Sequence, residues 1–213
     1  MFAYCNNNPI TGYDPEGLVN WGGVAVGIGI GILAIAAVAL TVATAGAASP
    51  LLAVVGSSVG TAMSAALIET SIVTTTGAIA EVPVVYDTTV VAGNTRVGYS
   101  AIYDFGNDTA DLYMHRGAQN QYEFSATWGT GFVFNHTERG SYAGEFVDTS
   151  YSTNYRGANV GLDFCTSPDN LNADNFMQEG TSALLFTSGI GSSIFRSRAP
   201  LIAYDYYEYV AAF

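Results

Sequence analysis

The 213-residue chain contains no lysine, and its 18 acidic residues outnumber its six arginines, which gives a formal net charge of −12. All six basic side chains lie in the second part of the chain: Arg96, Arg116, Arg139, Arg156, Arg196 and Arg198. Proteins that hold nucleic-acid phosphates without regard to sequence need clustered cations. The charge balance therefore argues against nucleic acid as a partner.

Cysteine and the common catalytic motifs are scarce or missing. The two cysteines, Cys5 and Cys165, lie in different halves of the chain and show no zinc-like spacing. We expect free thiols rather than one long-range disulfide, and we predict no metal and no cofactor. The sequence has no HExxH, GxSxG or P-loop motif. It also lacks the basic stretch that precedes the apolar run of a secretory signal.

Charged residues are absent between Gly17 and Ile68, where two apolar runs cover residues 21–48 and 51–68. The dipeptide between the runs, Ser49-Pro50, disfavours helix continuation. The pattern therefore predicts an apolar, Gly/Ala-rich helical hairpin, which we assign to residues 21–80.

The predicted hairpin has two possible environments. Its first run is long enough, as a helix, to cross a hydrocarbon core of about 30 Å. Its small residues also allow close packing inside protein. Spanning a membrane and packing within protein both remain open. We expect Glu69 to close the second helix and the hydroxyl run at 74–76 to end the pattern.

The first 20 residues contain two linked motifs. The string YCNNNP begins at Tyr4, and DPEGL runs from Asp14 to Leu18. Together they resemble the end of the RHS repeat-associated core, which closes the YD-repeat shells of bacterial polymorphic toxins. The resemblance implies that residues 1–20 are a remnant of this core and that a variable cargo domain follows.

Several members of this family cut themselves after the second motif with aspartate chemistry. By resemblance, Asp14 is the matching carboxylate and the bond after Leu18 is the matching cleavage point. The partner carboxylate and the repeats are missing from this chain. We therefore expect Asp14 to lie in a simple turn and the self-cleavage motif to be inactive.

From about Val82 the hydrophobic period changes to two, in short segments rich in β-branched and aromatic residues. This pattern predicts that residues 81–213 form an antiparallel β sandwich or barrel, so that the whole chain is a multi-part α+β protein. Hairpin turns are predicted at residues 107–108, 129–131 and 139–140. The aromatic tail that starts at Tyr204 is predicted to be an ordinary closing strand.

Candidate catalytic residues are few. Histidine titrates near neutral pH and can act as a general base. His115 is one candidate, and His136 is another, with Glu138 or Asp148 to orient it. The alternative is that each histidine lies at an edge or turn of a β hairpin.

These features predict the C-terminal portion of an RHS-like polymorphic toxin of bacterial competition. It would combine a hydrophobic translocation or membrane-insertion segment with a β-rich effector domain of undefined activity. The implied partners are a membrane, an immunity protein and the upstream RHS shell of longer relatives. The chain would be membrane-associated, or secreted and delivered to a target cell. The alternatives are a non-enzymatic membrane-disrupting protein and a surface β module that binds carbohydrate or protein, which abundant tyrosine favours.

Overall fold

The computed structural model describes residues 52–136, 138–155, 158–168, 180–193 and 201–213. These residues form one helix followed by six strands. The elements are α1 (Leu52–Ala80), β1 (Pro83–Asp104), β2 (Thr109–Phe134), β3 (Gly144–Tyr155), β4 (Ala158–Thr166), β5 (Ser182–Ser193) and β6 (Leu201–Ala212). The first helix of the predicted hairpin, the core remnant at 1–20, Asp14 and Cys5 lie outside the described residues.

Helix α1 continues past Glu69 and through the hydroxyl run to Ala80, so the predicted end at Glu69 is wrong. Threonines on its inner face explain the continuation. The indole of Trp128 donates to the hydroxyl of Thr70 at 3.1 Å, and the hydroxyl of Thr74 bonds that of Tyr86 at 2.8 Å. These contacts give the hydroxyl groups partners on the strands, so they do not compete with the helix backbone.

The helix ends in a Schellman motif. The amide of Val82 donates to the carbonyl of Gly77 at 3.1 Å, and Glu81 between them has a φ of 55°. This geometry satisfies the last carbonyls of a helix and turns the chain sharply. It delivers the chain directly into β1.

The two faces of α1 differ in burial but not in polarity. One face packs against the strands through buried Ala66, Val73 and Ala78, whereas Ile68, Ile72 and Ile79 on the opposite face are exposed. By length and composition, Gly60–Ala80 could cross a membrane, with a mean hydropathy of 1.2, and 33% of that window is buried within the fold. The helix therefore has an unpartnered apolar stripe among the described residues.

The strands confirm the predicted antiparallel β-rich part and form a barrel. The ring runs β2–β5–β4–β3–β6 and closes back onto β2, and β1 adds a sixth strand along β2. Every pairing in the ring is antiparallel. Because direction alternates between antiparallel neighbours, five straight strands cannot close in this way.

The ring can close because strand β2 bends, so that its two segments run in different directions. Residues 111–119 pair with β6, and residues 123–134 pair with β5. The pairing with β1 shifts register at the same place, between Gly93 and Thr95. Strand β2 therefore contributes one segment to each of two sheet halves: β1, β2, β5 and β4 in one half, and β1, β2, β6 and β3 in the other.

The turn predictions met different outcomes. The turn at 107–108 is confirmed, because the Asp104 carboxylate accepts hydrogen bonds from the amides of Gly106 and Asn107. Residues 139–140 form a turn in the β2–β3 connection, but the predicted hairpin is wrong, because β2 and β3 do not pair among the described residues. The turn at 129–131 is wrong, since these residues lie inside β2. A side chain at Gly131 would overlap the backbone of Leu184, so glycine serves strand packing there.

Two hydrophobic clusters hold the fold together. The first lies between α1 and the outer face of the sheet, and it consists of Ala66, Val73, Ala78, Val84, Tyr86, Tyr103, Phe105, Ala110 and Trp128. The second fills one end of the barrel interior, and it consists of Val85, Ile102, Tyr113, Val133, Tyr142, Phe146, Cys165, Ala183, Leu185 and Tyr207. Cys165 is a buried free thiol, as predicted.

Candidate functional site

Above the aromatic end of the barrel, charged side chains point inward from several strands. Side chains alternate between the two faces of a strand, and charged residues that are buried or partly buried occupy inward positions beside apolar or small neighbours. The group consists of Asp87 and Arg96 on β1, His115 on β2, Asp148 on β3, Asp163 on β4 and Asp205 on β6. We call these six residues the charged belt.

Arg96 is the cationic centre of the belt. Its Nη2 atom lies 3.0 Å from Oδ2 of Asp148, with which it forms a hydrogen bond, and 3.2 Å from Oδ2 of Asp205. All three side chains are buried. Burial favours the neutral form of Arg96, but the two carboxylates outweigh it and raise the pKa of the guanidinium further. Arg96 is therefore a fixed positive charge in the interior.

The negative charge of Asp205 is only partly balanced by Arg96. Burial raises its pKa well above the ordinary value, Arg96 opposes the rise, and the negative charge of Asp148 adds to it. One guanidinium thus faces two carboxylates, and a proton on Asp205 relieves the excess negative charge.

Asp87 and His115 form the second charge pair, with Oδ1 and Nε2 3.1 Å apart. Burial alone would raise the pKa of Asp87, but His115 and the hydroxyl groups of Ser100 and Thr89 outweigh it and lower that pKa. Burial would likewise lower the pKa of His115, but Asp87 outweighs it and raises that pKa. The His115 ring also stacks on Tyr207, with centroids 4.8 Å apart. The pairing therefore favours the charged form of both side chains, and the stacking contact fixes the orientation of the ring.

Two glycines make room for the belt. A Cβ atom at Gly98 would overlap the His115 ring and the carbonyl of Thr88. A Cβ atom at Gly117 would overlap the Asp205 carboxylate and the carbonyl of Tyr204. The absence of side chains at these positions lets the neighbouring ionisable groups fill the interior.

A cavity of about 70 Å³ lies on the other side of the belt from the aromatic cluster. Its lining is mostly polar, with Arg96, Gln119 and Asp163 among hydroxyl-bearing residues such as Ser150 and Thr187. This space admits a few water molecules or the end of a polar ligand. Its wall includes Ser152, which is exposed, so the cavity lies towards the surface at this end of the barrel.

Asp163 is the titratable group suited to proton transfer in this cavity. Burial raises its pKa to about 6, against the opposing effect of Arg96 and of hydrogen bonds to Ser150 and Thr187. A carboxyl group with a pKa near 6 populates both protonation states close to neutral pH. The cavity therefore combines a fixed cation with a carboxyl group that can give or take a proton.

The residues proposed from sequence lie in different places. His115 is in the belt and has 0% exposure, so it does not line the cavity. His136 pairs instead with Asp104, with Nδ1 3.7 Å from Oδ2, at the end of β1. Glu138 is exposed in the β2–β3 connection. Asp148, the other suggested partner of His136, is bonded to Arg96.

Sequence reasoning missed Arg96, Asp87, Asp163 and Asp205. A signal existed, because each carboxylate or guanidinium stands inside a strand pattern next to β-branched, aromatic or small residues. Strand alternation alone assigns such residues to one face but does not say which face is inward. Among the described residues, no group of three or more His, Cys, Asp or Glu side chains could hold a metal ion.

Comparison of the chain with protein-family models, with curated proteins and with solved structures found no match.

Proposed function

We propose that this chain is the C-terminal portion of an RHS-like polymorphic toxin and that the β barrel is its effector domain, which acts through the interior cavity. The motifs YCNNNP and DPEGL support the family in this proposal, and the charged belt is the observation that supports a site in the barrel. A small barrel can be filled by apolar side chains alone, and a buried ion pair often adds no stability over apolar packing. A cluster of six ionisable residues, two of which line a cavity, is typical of a binding or catalytic site.

The belt supports acid–base chemistry on a polar substrate. In this proposal Arg96 binds an anionic or carbonyl oxygen of the substrate, and Asp163 transfers a proton to or from the reacting group. Asp87, His115, Asp148 and Asp205 act as positioning residues that hold Arg96 and the interior charge. Because ligand sites for whole small molecules are usually about 300–1,000 Å³, the cavity of about 70 Å³ suits only the reacting end of a substrate.

Growth of bacteria that express the full chain tests this proposal. The wild-type chain should arrest growth, and Asp163→Asn should restore it, since asparagine keeps the shape but cannot exchange a proton. Glu145→Gln is the matched control, because Glu145 is an exposed acid on β3. If the Asp163→Asn chain is expressed, folded and as toxic as the wild type, proton transfer by Asp163 in the cavity is not required for toxicity and the proposal is wrong.

A membrane-disrupting function is the second candidate, and the exposed stripe of Ile68, Ile72 and Ile79 favours it. An apolar helix face of this kind can insert into a lipid surface. Leakage of dye from anionic lipid vesicles separates the two functions. Ile72→Asp should abolish leakage if the stripe inserts, whereas Asp163→Asn should leave leakage unchanged. A gene product that binds the barrel and suppresses toxicity would identify the immunity partner.

A further inference from the structure

A second, larger concavity lies outside the barrel, between α1 and the outer face of β3, β4 and β5. Its volume is about 550 Å³. Its walls include Glu69 on α1, Tyr151 and Thr153 on β3, Val160 and Leu162 on β4, and Phe186 on β5. We call it the outer groove. It lies on the opposite face of these strands from the charged belt.

The floor of the outer groove is a continuous apolar row. Tyr151 lies opposite Leu162 in the β3–β4 pairing, and Leu162 lies opposite Phe186 in the β4–β5 pairing. The three side chains are 55%, 37% and 37% exposed. Residues directly opposite each other on neighbouring strands lie about 5 Å apart. The row therefore presents two aromatic rings and an aliphatic side chain to whatever enters the groove.

Glu69 places one negative charge beside this apolar row. It is the single charged residue of α1. Its Oε2 atom is buried and has no hydrogen-bond partner among the described residues. Burial raises the pKa of the carboxyl group, and the hydroxyl of Ser188 opposes the rise. Among the described residues no cation forms an ion pair with this partly buried carboxylate, and such an uncompensated charge is unfavourable, so its surroundings favour a positively charged ligand.

We propose that the outer groove binds a small organic cation, with an ammonium group held between Glu69 and the rings of Tyr151 and Phe186. Aromatic faces attract ammonium groups, and the carboxylate supplies the opposite charge. Leu162 and Val160 contact the apolar part of the same ligand. The volume of the groove suits a molecule of this size. The proposal does not depend on the effector function, because it uses none of the residues of the charged belt.

Titration of the full chain with choline, followed by NMR or calorimetry, tests the proposal. Its neutral isostere, 3,3-dimethylbutan-1-ol, has the same shape without the charge. Choline should bind at millimolar concentrations, and the isostere should bind at least about tenfold more weakly, because the carboxylate and the rings recognise charge. Equal binding of the two compounds, or no binding of choline, would overturn the proposal.

Variants assign the binding to named residues. Glu69→Gln and Tyr151→Leu should each weaken choline binding about tenfold or more, whereas Glu145→Gln on the outer face of β3 should leave it unchanged. Choline binding that survives Glu69→Gln at full strength would contradict the proposed contact. Sedimentation tests a second copy as the occupant: a wild-type dimer that Tyr151→Leu dissociates, with no choline effect, would also overturn the proposal.

Discussion

Replacing Asp163 by asparagine removes a carboxyl group that burial keeps partly protonated near pH 6. The pKa of Asp163 is raised from its ordinary 3.8 to about 6 in the folded chain. At about 1.4 kcal/mol per pKa unit, this difference corresponds to about 3 kcal/mol. The pH dependence of stability follows from this shift. A carboxyl group whose pKa is higher in the folded chain than in the unfolded chain stabilises the fold when the pH is below the unfolded-state pKa. That stabilisation is lost as the pH rises through the folded-state pKa.

The wild-type chain should therefore lose about 3 kcal/mol of unfolding free energy at this residue between about pH 4 and pH 8. The Asp163→Asn variant should not show this part of the loss. At low pH the two proteins should be nearly equally stable, because asparagine resembles a protonated carboxyl group in shape. Near pH 8 the variant should be the more stable protein by about 3 kcal/mol.

Urea unfolding of the two full-length proteins across this pH range, followed by circular dichroism, measures the difference. All other titrating groups are common to both proteins and cancel to first order. A stability difference that does not change with pH would refute the argument that burial dominates at Asp163. A variant that is less stable at high pH would show that Asp163 is compensated by Arg96 more fully than the geometry indicates.

Three further substitutions test the packing. Thr74→Val should cost about 1–3 kcal/mol, because it leaves the buried hydroxyl of Tyr86 unpaired, and urea unfolding measures the loss. Gly98→Ala should prevent stable folding, since the new Cβ overlaps His115 and backbone; a loss of cooperative thermal unfolding reports it. Arg96→Met should cost about 3–5 kcal/mol near neutral pH and less in acid, where the unpaired carboxylates take up protons.

Each of these substitutions has a control in the same chain. Thr75→Val changes an exposed threonine on α1, so its effect should stay within about 0.5 kcal/mol. Gly60→Ala meets no atom within 4 Å and should stabilise the helix by about 0.5–1 kcal/mol. For Arg96→Met, adding Asp148→Asn and Asp205→Asn should recover stability; no recovery would contradict the assigned pairing.

The general form of this molecule was accessible from its sequence, because alternation and turn residues are local signals. The switch to period two near Val82 predicted the antiparallel β part, and the turn at 107–108 followed from the Asn and Asp residues there. The turn predicted at 129–131 was wrong because glycine occurs both in turns and where strands pack closely. The predicted helix end at Glu69 was wrong because a single charged residue interrupts a run of apolar residues without ending a helix.

The site was less accessible because its members are brought together only by barrel closure. The sequence identifies His115 as a candidate base, but its partner Asp87 lies on β1 in the other sheet half. Arg96 contacts carboxylates from β3 and β6, far along the chain. The local sequence pattern shows which charged residues lie in strands and how far apart they are along the chain. It does not give the strand order that decides which of them meet.

The bend in β2 links the closure of the barrel to the assembly of the belt. The segment of β2 before the bend carries His115, whereas the segment after it pairs with β5 and supplies the wall of the cavity through Ser125 and Thr127. The ion pair of His115 with Asp87 joins the two sheet halves across the interior. The Asp87–His115 ion pair forms only when both halves are docked, because each half carries one of its two members. Loss of the Asp87–His115 pair should therefore weaken the docking of the halves and deform the cavity at the same time, whereas Asp163→Asn changes a residue of the cavity wall without removing that pair.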